Sequence, residues 1–219
     1  MRRGLEDLTK QPDFGYLAEL VTARRIVAPG ASCLAESRPS LARIESGIVM
    51  RYSLLEDGRR QIEGLLYPGD LCGLCESVIG GRGSYYEAVT ALEISLLDPA
   101  DARLRNCSGE HPAEHLLWLL AREVVLLSQW IASVGQRNAP EGIAWFIHHV
   151  WQRAEEAGMI LRSTAPFPFS QQVVADVLGL SLVHTNKTMR RLSEEGLFRI
   201  SRGRVQVPSH AQLRQAAAL

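Results

Sequence analysis

The sequence carries no excess of charge, few cysteines and little aromatic content. Lysine and arginine together number 24, and so do aspartate and glutamate; aromatic residues make up 6%. Four of the 219 residues are cysteine (Cys33, Cys72, Cys75 and Cys107), too few for a disulfide scaffold in a chain of this length. Cys72-Gly73-Leu74-Cys75 has metal-ligand spacing, but no second such pair accompanies it. The four thiols therefore read as small, core-compatible side chains. No apolar run approaches the roughly 18–20 uninterrupted residues that span a bilayer. The start, Met1-Arg2-Arg3-Gly4-Leu5, lacks the apolar stretch of a signal peptide. Catalytic signatures are missing too. His148-His149, Glu155-Glu156 and Ser77 sit in no nucleophile elbow, zinc motif or phosphate loop. The expectation is a cytoplasmic chain with no membrane partner and no enzymatic activity, built as one or two domains.

What is present is an asymmetry. Residues 160–219 hold eight basic side chains (Arg162, Lys187, Arg190, Arg191, Arg199, Arg202, Arg204 and Arg214) against three acidic ones (Asp176, Glu194 and Glu195). The remainder is acidic by the same margin. A basic end on an acidic body points to a polyanion for that end.

Three kinds of pattern follow one another. Between residues 25 and 105, short apolar runs alternate with turn formers such as Pro29-Gly30, Glu56-Asp57-Gly58 and Pro68-Gly69-Asp70. Strands are expected over Leu41–Ile44, Gly47–Leu54, Arg60–Tyr67 and Glu87–Leu97, with Asp57-Gly58 as a hairpin turn. From Pro112 to about Gln136 the period becomes helical. Leu117, Leu120, Val124, Leu127, Ile131 and Val134 recur at spacings of 3 and 4, the seam one helix offers to another. A homodimer through this helix is expected. Asn138-Ala139-Pro140-Glu141 then starts a further helix that buries Ile143, Phe146, Ile147, Val150 and Trp151, with Gly158 closing it.

The last part carries the chemistry. Ser170 caps a helix Gln171–Leu178; Gly179 supplies the left-handed residue of a tight turn. Leu180 plugs the angle, and Ser181 caps a polar helix from Leu182 to Glu195 that stops at Gly196. This is a helix-turn-helix. Strand, Arg202-Gly203-Arg204 turn and strand follow it, in the manner of a wing. The first turns of the second helix are expected in the major groove of double-stranded DNA. Val183, His184, Asn186 and Lys187 would lie at base edges or nearby phosphates, with Thr185 and Thr188 short enough for close approach. Asn can pair adenine in two places, and Lys can reach guanine acceptors. Ser170, Gln171, Ser181, Arg190, Arg191, Arg199, Arg202 and Arg204 complete the expected surface, the arginines as phosphate contacts that position without specifying.

Over nearly its whole length the chain resembles the Crp/Fnr superfamily of bacterial transcription regulators. Phe169 to Leu192 is similar to that family's DNA-reading segment, and Gly47…Asp57-Gly58-Arg59-Arg60-Gln61-Ile62…Pro68-Gly69-Asp70 resembles its cyclic-nucleotide-type barrel. The resemblance implies an α+β fold with an N-terminal antiparallel β-barrel or jelly-roll sensor domain (1–111), a long dimerisation helix (112–137) and a C-terminal winged helix-turn-helix domain (138–219). It also implies a homodimer on a two-fold operator, RNA polymerase as a partner, and a signal read in the barrel. The pocket expected from it involves Gly69, Asp70, Cys72, Cys75, Arg82 and Ser84. Here the chain departs from cyclic-AMP binders. Gly69-Asp70-Leu71 replaces their Gly-Glu-Leu turn, Gly83 follows Arg82 where they have serine, and their ribose-holding glutamate is missing. Tight cyclic-AMP binding is not expected. The alternatives are a haem sensor using Cys72 or Cys75 with His111, His115, His148 or His149, an iron–sulfur centre held by Cys33, Cys72, Cys75 and Cys107, or DNA binding that needs no effector. Where the family's oxygen-sensing branch has a glutamate and a serine-arginine pair in the recognition helix, this chain has Val183 and Asn186-Lys187, so its operator should differ.

Overall fold

The structure, a computed structural model, describes residues 15–34, 40–80, 83–98 and 112–219. A short 3₁₀ helix (Gly15–Leu20) leads into strands β1 (Val21–Val27), β2 (Leu41–Ser46), β3 (Val49–Leu54), β4 (Arg60–Leu66) and β5 (Leu71–Cys72). Helix α1 (Leu74–Ile79), β6 (Tyr85–Ala88) and β7 (Leu92–Leu97) complete this half. The strands form two antiparallel sheets, ordered β1-β7-β2-β5 and β4-β3-β6. Alternation along each strand sends one set of side chains inward. Val27, Ala42, Ile44, Leu92 and Ile94 from the first sheet meet Val49, Leu66, Tyr86 and Ala88 from the second in one buried cluster. The sheets do not close into a barrel among the described residues; two packed sheets fit the jelly-roll form of the expectation.

The hairpin expected at Asp57-Gly58 joins β3 to β4. Gly58 has φ +82°, and an Asp57 carboxylate oxygen accepts the Arg59 N–H at 3.0 Å. The single strand expected over Glu87–Leu97 is two strands. β6 pairs with β3 and β7 with β1 and β2, so the chain changes sheets at Val89-Thr90-Ala91. Thr90 Oγ1 accepts the Ile48 N–H at 3.0 Å and holds this corner. Gly47 lies against it at φ +92°, where a Cβ would collide with the Ala91 carbonyl and the Leu92 side chain. The 3₁₀ helix, β1 and α1 have no clear sequence signal.

Helix α2 (Pro112–Gln136) then α3 (Ala139–Glu156) lead to the second half. Asn138 caps α3 in a reciprocal box with Glu141, leaving a sharp break between the helices. α2 lays Leu119, Arg122, Glu123 and Leu126 over the sheets and buries Trp130 and Ser133. α3 is the hub: Ile143, Trp145, Phe146, Ile147 and Val150 are each at most 2% exposed. They join Met50, Ile62 and Tyr67 of the β half to Val174, Leu192 and Phe198 of the C-terminal half in one apolar cluster.

The remaining elements are β8 (Ala165–Pro166), α4 (Gln171–Leu178), α5 (Leu182–Glu194), β9 (Arg199–Ser201), β10 (Arg204–Gln206) and α6 (His210–Ala216). β8, β10 and β9 form a three-stranded sheet in that order. Its tip has left-handed backbone at Arg202 (φ 50°) and Gly203 (φ 70°), the primed-turn geometry that suits a two-residue hairpin.

Candidate nucleic-acid interface

Ser170 caps α4 by accepting the Val173 N–H at 3.2 Å, and Ser181 caps α5 by accepting the His184 N–H at 3.3 Å. Between them Gly179 takes left-handed φ, ψ of 65° and 28°. The two serines thus set where both helices begin. Val174, Ala175, Leu178, Met189 and Leu192 are buried between the helices, and Leu180 packs partly against them.

This packing decides which face of α5 is free. Thr185 and Thr188 are 0% and 7% exposed. They belong to the packed side, not to the DNA-facing side expected for them: their spacing to Met189 and Leu192 puts all four on one face. Val183, His184, Lys187, Arg190 and Arg191 are exposed, and Asn186 is half-buried. The Asn186 carboxamide oxygen is enclosed without a hydrogen-bond partner, so two-point pairing with adenine would require that side chain to rotate. Arg190 Nε bonds Glu194 at 2.8 Å, and Arg191 lies 3.7 Å from Glu195. Arg202 and Arg199 are exposed on the wing and Gln171 on α4. Arg204 is different. Its guanidinium donates to Thr164 Oγ1 and to the Thr164 carbonyl, both at 2.6 Å, and to the Met159 carbonyl at 3.3 Å. It ties the wing to the loop before it and is not a free charge at the tip. No local pattern signals this, because Thr164 and Met159 are separated from Arg204 by forty residues or more.

The pocket residues that the structure describes do not gather round an open cavity. Asp70 is buried. Its carboxylate accepts the Tyr67 N–H at 2.8 Å, pairs with Arg122 of α2 at 2.7 Å and with Arg153 of α3. Cys72 lies in the core between the sheets, and burial holds its thiol well above the ordinary range. Cys75 is exposed, with its thiol also pushed up by burial of the sulfur. Ser84 donates its N–H to Glu76 at 3.0 Å and its hydroxyl to Glu63. Arg51 of β3 pairs with Glu123 of α2. The space left between Arg51, Asp70, Cys75, Tyr86, Arg122 and Glu123 is about 30 Å³, room for about one water molecule. Gly69 forms the turn before Asp70, with φ +93°. Arg82 lies outside the described residues, as do Cys107, His111 and the side chain of His115. His149 is buried in α3, stacked on Trp145 at 5.3 Å with Trp130 at its edge. Burial and Arg153 push it down to about 3. His148, beside it in sequence, is half-buried. Among the described residues no three His, Cys, Asp or Glu side chains converge to hold a metal ion, so the thiols and imidazoles described do not assemble the ligand set of a cluster.

The seam of α2 divides by burial. Leu117, Val124, Ile131 and Val134 are exposed, the first three by 67%, 63% and 71%; Leu120 and Leu127 are half-buried. The segment Leu117–Gln136 is apolar and long enough to cross a membrane. Its inner face, however, carries Arg122 and Glu123, which are ion-paired to Asp70 and Arg51 of the sheets.

Arrangements of this kind have close counterparts. Residues 143–216 match the Crp-like helix-turn-helix domain. The chain is 29% identical over 181 residues to the nitrogen fixation regulation protein FixK of Bradyrhizobium diazoefficiens, spanning 82% of this chain and 74% of that one. It is 25% identical to the fumarate and nitrate reduction regulatory protein of Escherichia coli K12, spanning 81% and 71%. In fold it is similar to FixK2 of Bradyrhizobium japonicum (TM-score 0.77, 22% identity, 91% of this chain and 99% of that one). A CRP-family regulator of Thermus thermophilus superposes with a TM-score of 0.71 at 21% identity, covering 89% and 97%. With the paired sheets, the helix-turn-helix and the wing in this order, the chain carries a Crp-like helix-turn-helix domain and is a DNA-binding transcription regulator similar to those of the Crp/Fnr type.

Proposed function

We propose that the protein acts in the cytoplasm as a homodimer on a two-fold operator, with RNA polymerase as the partner its bound form addresses. In this reading residues 1–111 are the sensor unit, 112–137 the dimerisation helix and 138–219 the DNA-binding unit. The observation that carries it is the outer face of α2. Leu117, Val124, Ile131 and Val134 stand exposed at heptad spacing on a helix whose opposite face is fixed to the sheets. An exposed apolar stripe of that period is what a second copy covers. A two-fold axis along α2 then presents two α5 helices to half-sites about one DNA turn apart.

Val183, His184, Asn186 and Lys187 are assigned to the major groove. Gln171, Arg190, Arg191, Arg199 and Arg202 are assigned to phosphates, and Ser170 and Ser181 to the helix ends that meet the backbone. The sensor pocket, closed to about 30 Å³, supports a signal other than a cyclic nucleotide entering this state. Asp70 supports the route of that signal, since it joins the sheets to both α2 and α3; a change there would alter the pairing of α2 and the setting of α5.

The test is selection of random duplex DNA by the purified protein, followed by sequencing, with sedimentation to count protomers. A palindrome with half-sites about ten base pairs apart, bound by a dimer, is the expected result. Monomers, or binding that is blind to sequence and steeply salt-dependent, would refute the dimer–operator reading.

A further inference from the structure

α5 has one apolar group where the fold has no use for it. Successive helical residues turn by about 100°, so Thr185, Thr188, Met189 and Leu192 share the buried side. Val183, Lys187, Arg190 and Glu194, at i, i+4, i+7 and i+11, fall within about 60° of one another on the opposite crest. Three of these are charged. Val183 is 79% exposed and is the most exposed apolar side chain of the helix. It belongs to none of the hydrophobic clusters, and a β-branched residue there lowers helix propensity. Arg190 is drawn along the crest to Glu194, away from the N-terminal turn. The N-terminal half of the crest therefore offers one isopropyl group and one ammonium, that of Lys187.

In the major groove only one base carries an apolar substituent: thymine, with its 5-methyl group. We propose that Val183 is a specificity residue that reads a thymine through that methyl. Lys187 lies four residues further on, a rise of about 6 Å along the helix. The thymine therefore lies within about two base pairs of the position that Lys187 touches, at about 3.4 Å per step. The assignment rests on the reading of α5 as the major-groove helix.

The experiment uses the duplex enriched by selection. Each thymine in a half-site is replaced in turn by deoxyuridine, which removes the methyl and leaves the pairing edge unchanged. Binding of the full-length protein and of its Val183→Ala and Lys187→Ala variants is measured at fixed salt. Val183 is exposed, so Val183→Ala keeps the fold, which circular dichroism verifies. The expected result is one thymine per half-site whose replacement weakens the parent protein about fourfold, the worth of one buried methyl-sized group. Val183→Ala binds the thymine duplex correspondingly more weakly and no longer distinguishes uracil there. Lys187→Ala keeps that distinction. If Lys187→Ala changes base preference while no thymine depends on Val183, the thymine assignment falls and α5 remains the reading helix. If neither variant changes base preference, the groove assignment of α5 falls and takes the proposal with it.

Discussion

Arg60 of β4 donates two hydrogen bonds to a single carboxylate oxygen of Asp176 on α4, from Nε at 3.1 Å and from a terminal nitrogen at 2.9 Å. The same guanidinium lies 5.2 Å from the centre of the Tyr52 ring. Next to it, the Gln61 side-chain amide donates to the Val177 carbonyl at 3.3 Å. The first helix of the helix-turn-helix is thus fastened to the β3–β4 hairpin. Both partners of the ion pair are about a fifth exposed, so its net worth is modest. A double-mutant cycle of Arg60→Ala and Asp176→Asn in urea unfolding should give a coupling of about 0.5–1 kcal/mol. Strictly additive single effects would mean that the hairpin and α4 touch without energetic linkage.

Asp70 has the opposite character, because it is 6% exposed and faces two guanidinium groups. Removing a buried partner leaves uncompensated charge. Asp70→Ala should cost about 3–5 kcal/mol of stability, measured by denaturant unfolding. Combining Asp70→Asn with Arg153→Met should cost less than Asp70→Asn alone, since the double change leaves one stranded cation fewer. A loss of under about 1 kcal/mol in Asp70→Ala would show that water, not the carboxylate, balances Arg122 and Arg153.

These two contacts show what can be read from the sequence. The helix-turn-helix is legible residue by residue. Ser170, Gly179 and Ser181 each carry a local requirement, a cap or a left-handed backbone, that only a few residue types meet. The α2 seam is legible because a period of 3 and 4 is a one-dimensional signal. The fixing of Arg60 to Asp176 is a pairing across 116 positions, and Arg204 folds back over some forty; spacing along the chain carries no trace of either. The internal pairing of Asp70 is hidden for the same reason. Asp70 reads locally as a ligand-facing turn residue, and its distant guanidinium partners make it an internal ion-pair residue instead.

The exposed seam gives a third prediction. Ile131→Glu alters a side chain that is 71% exposed in the single chain, so the fold of each protomer should survive. Sedimentation should then show monomers, with operator affinity lowered by at least about tenfold as the second half-site contact is lost. A dimer that persists with the parent's affinity would place the two-fold interface elsewhere.

His149 predicts an acid-sensitive fold. Its imidazole is 3% exposed and pushed down to about 3, first by burial and then by Arg153. Its pKa in the unfolded chain is about 6.5. Between these values the unfolded chain binds the extra proton and the folded chain does not. The contribution of His149 is therefore complete above about pH 6.5 and is lost as pH falls towards 3. His149→Phe, which keeps a ring against Trp145, should flatten the stability profile between about pH 4 and 6.5. An unchanged slope would assign the acid sensitivity to the carboxylates around Arg122 and Arg153.

Lys187 and Arg202 differ in position and should differ in consequence. Lys187 stands on the crest of α5, while Arg202 occupies the wing turn at φ 50°. Arg202→Asn removes the charge and suits left-handed backbone, so the turn is kept. If Arg202 meets a phosphate, the variant should bind all sequences more weakly to a similar degree. The slope of log affinity against log salt should also become shallower by about 1.8, two contacts per dimer at about 0.9 each. Lys187→Ala should instead reduce the ratio of operator to random-DNA affinity, by about tenfold for a lost base contact. Equal losses on operator and random DNA for both variants would make Lys187 a phosphate contact as well. Base discrimination would then fall to Val183, His184 and Asn186.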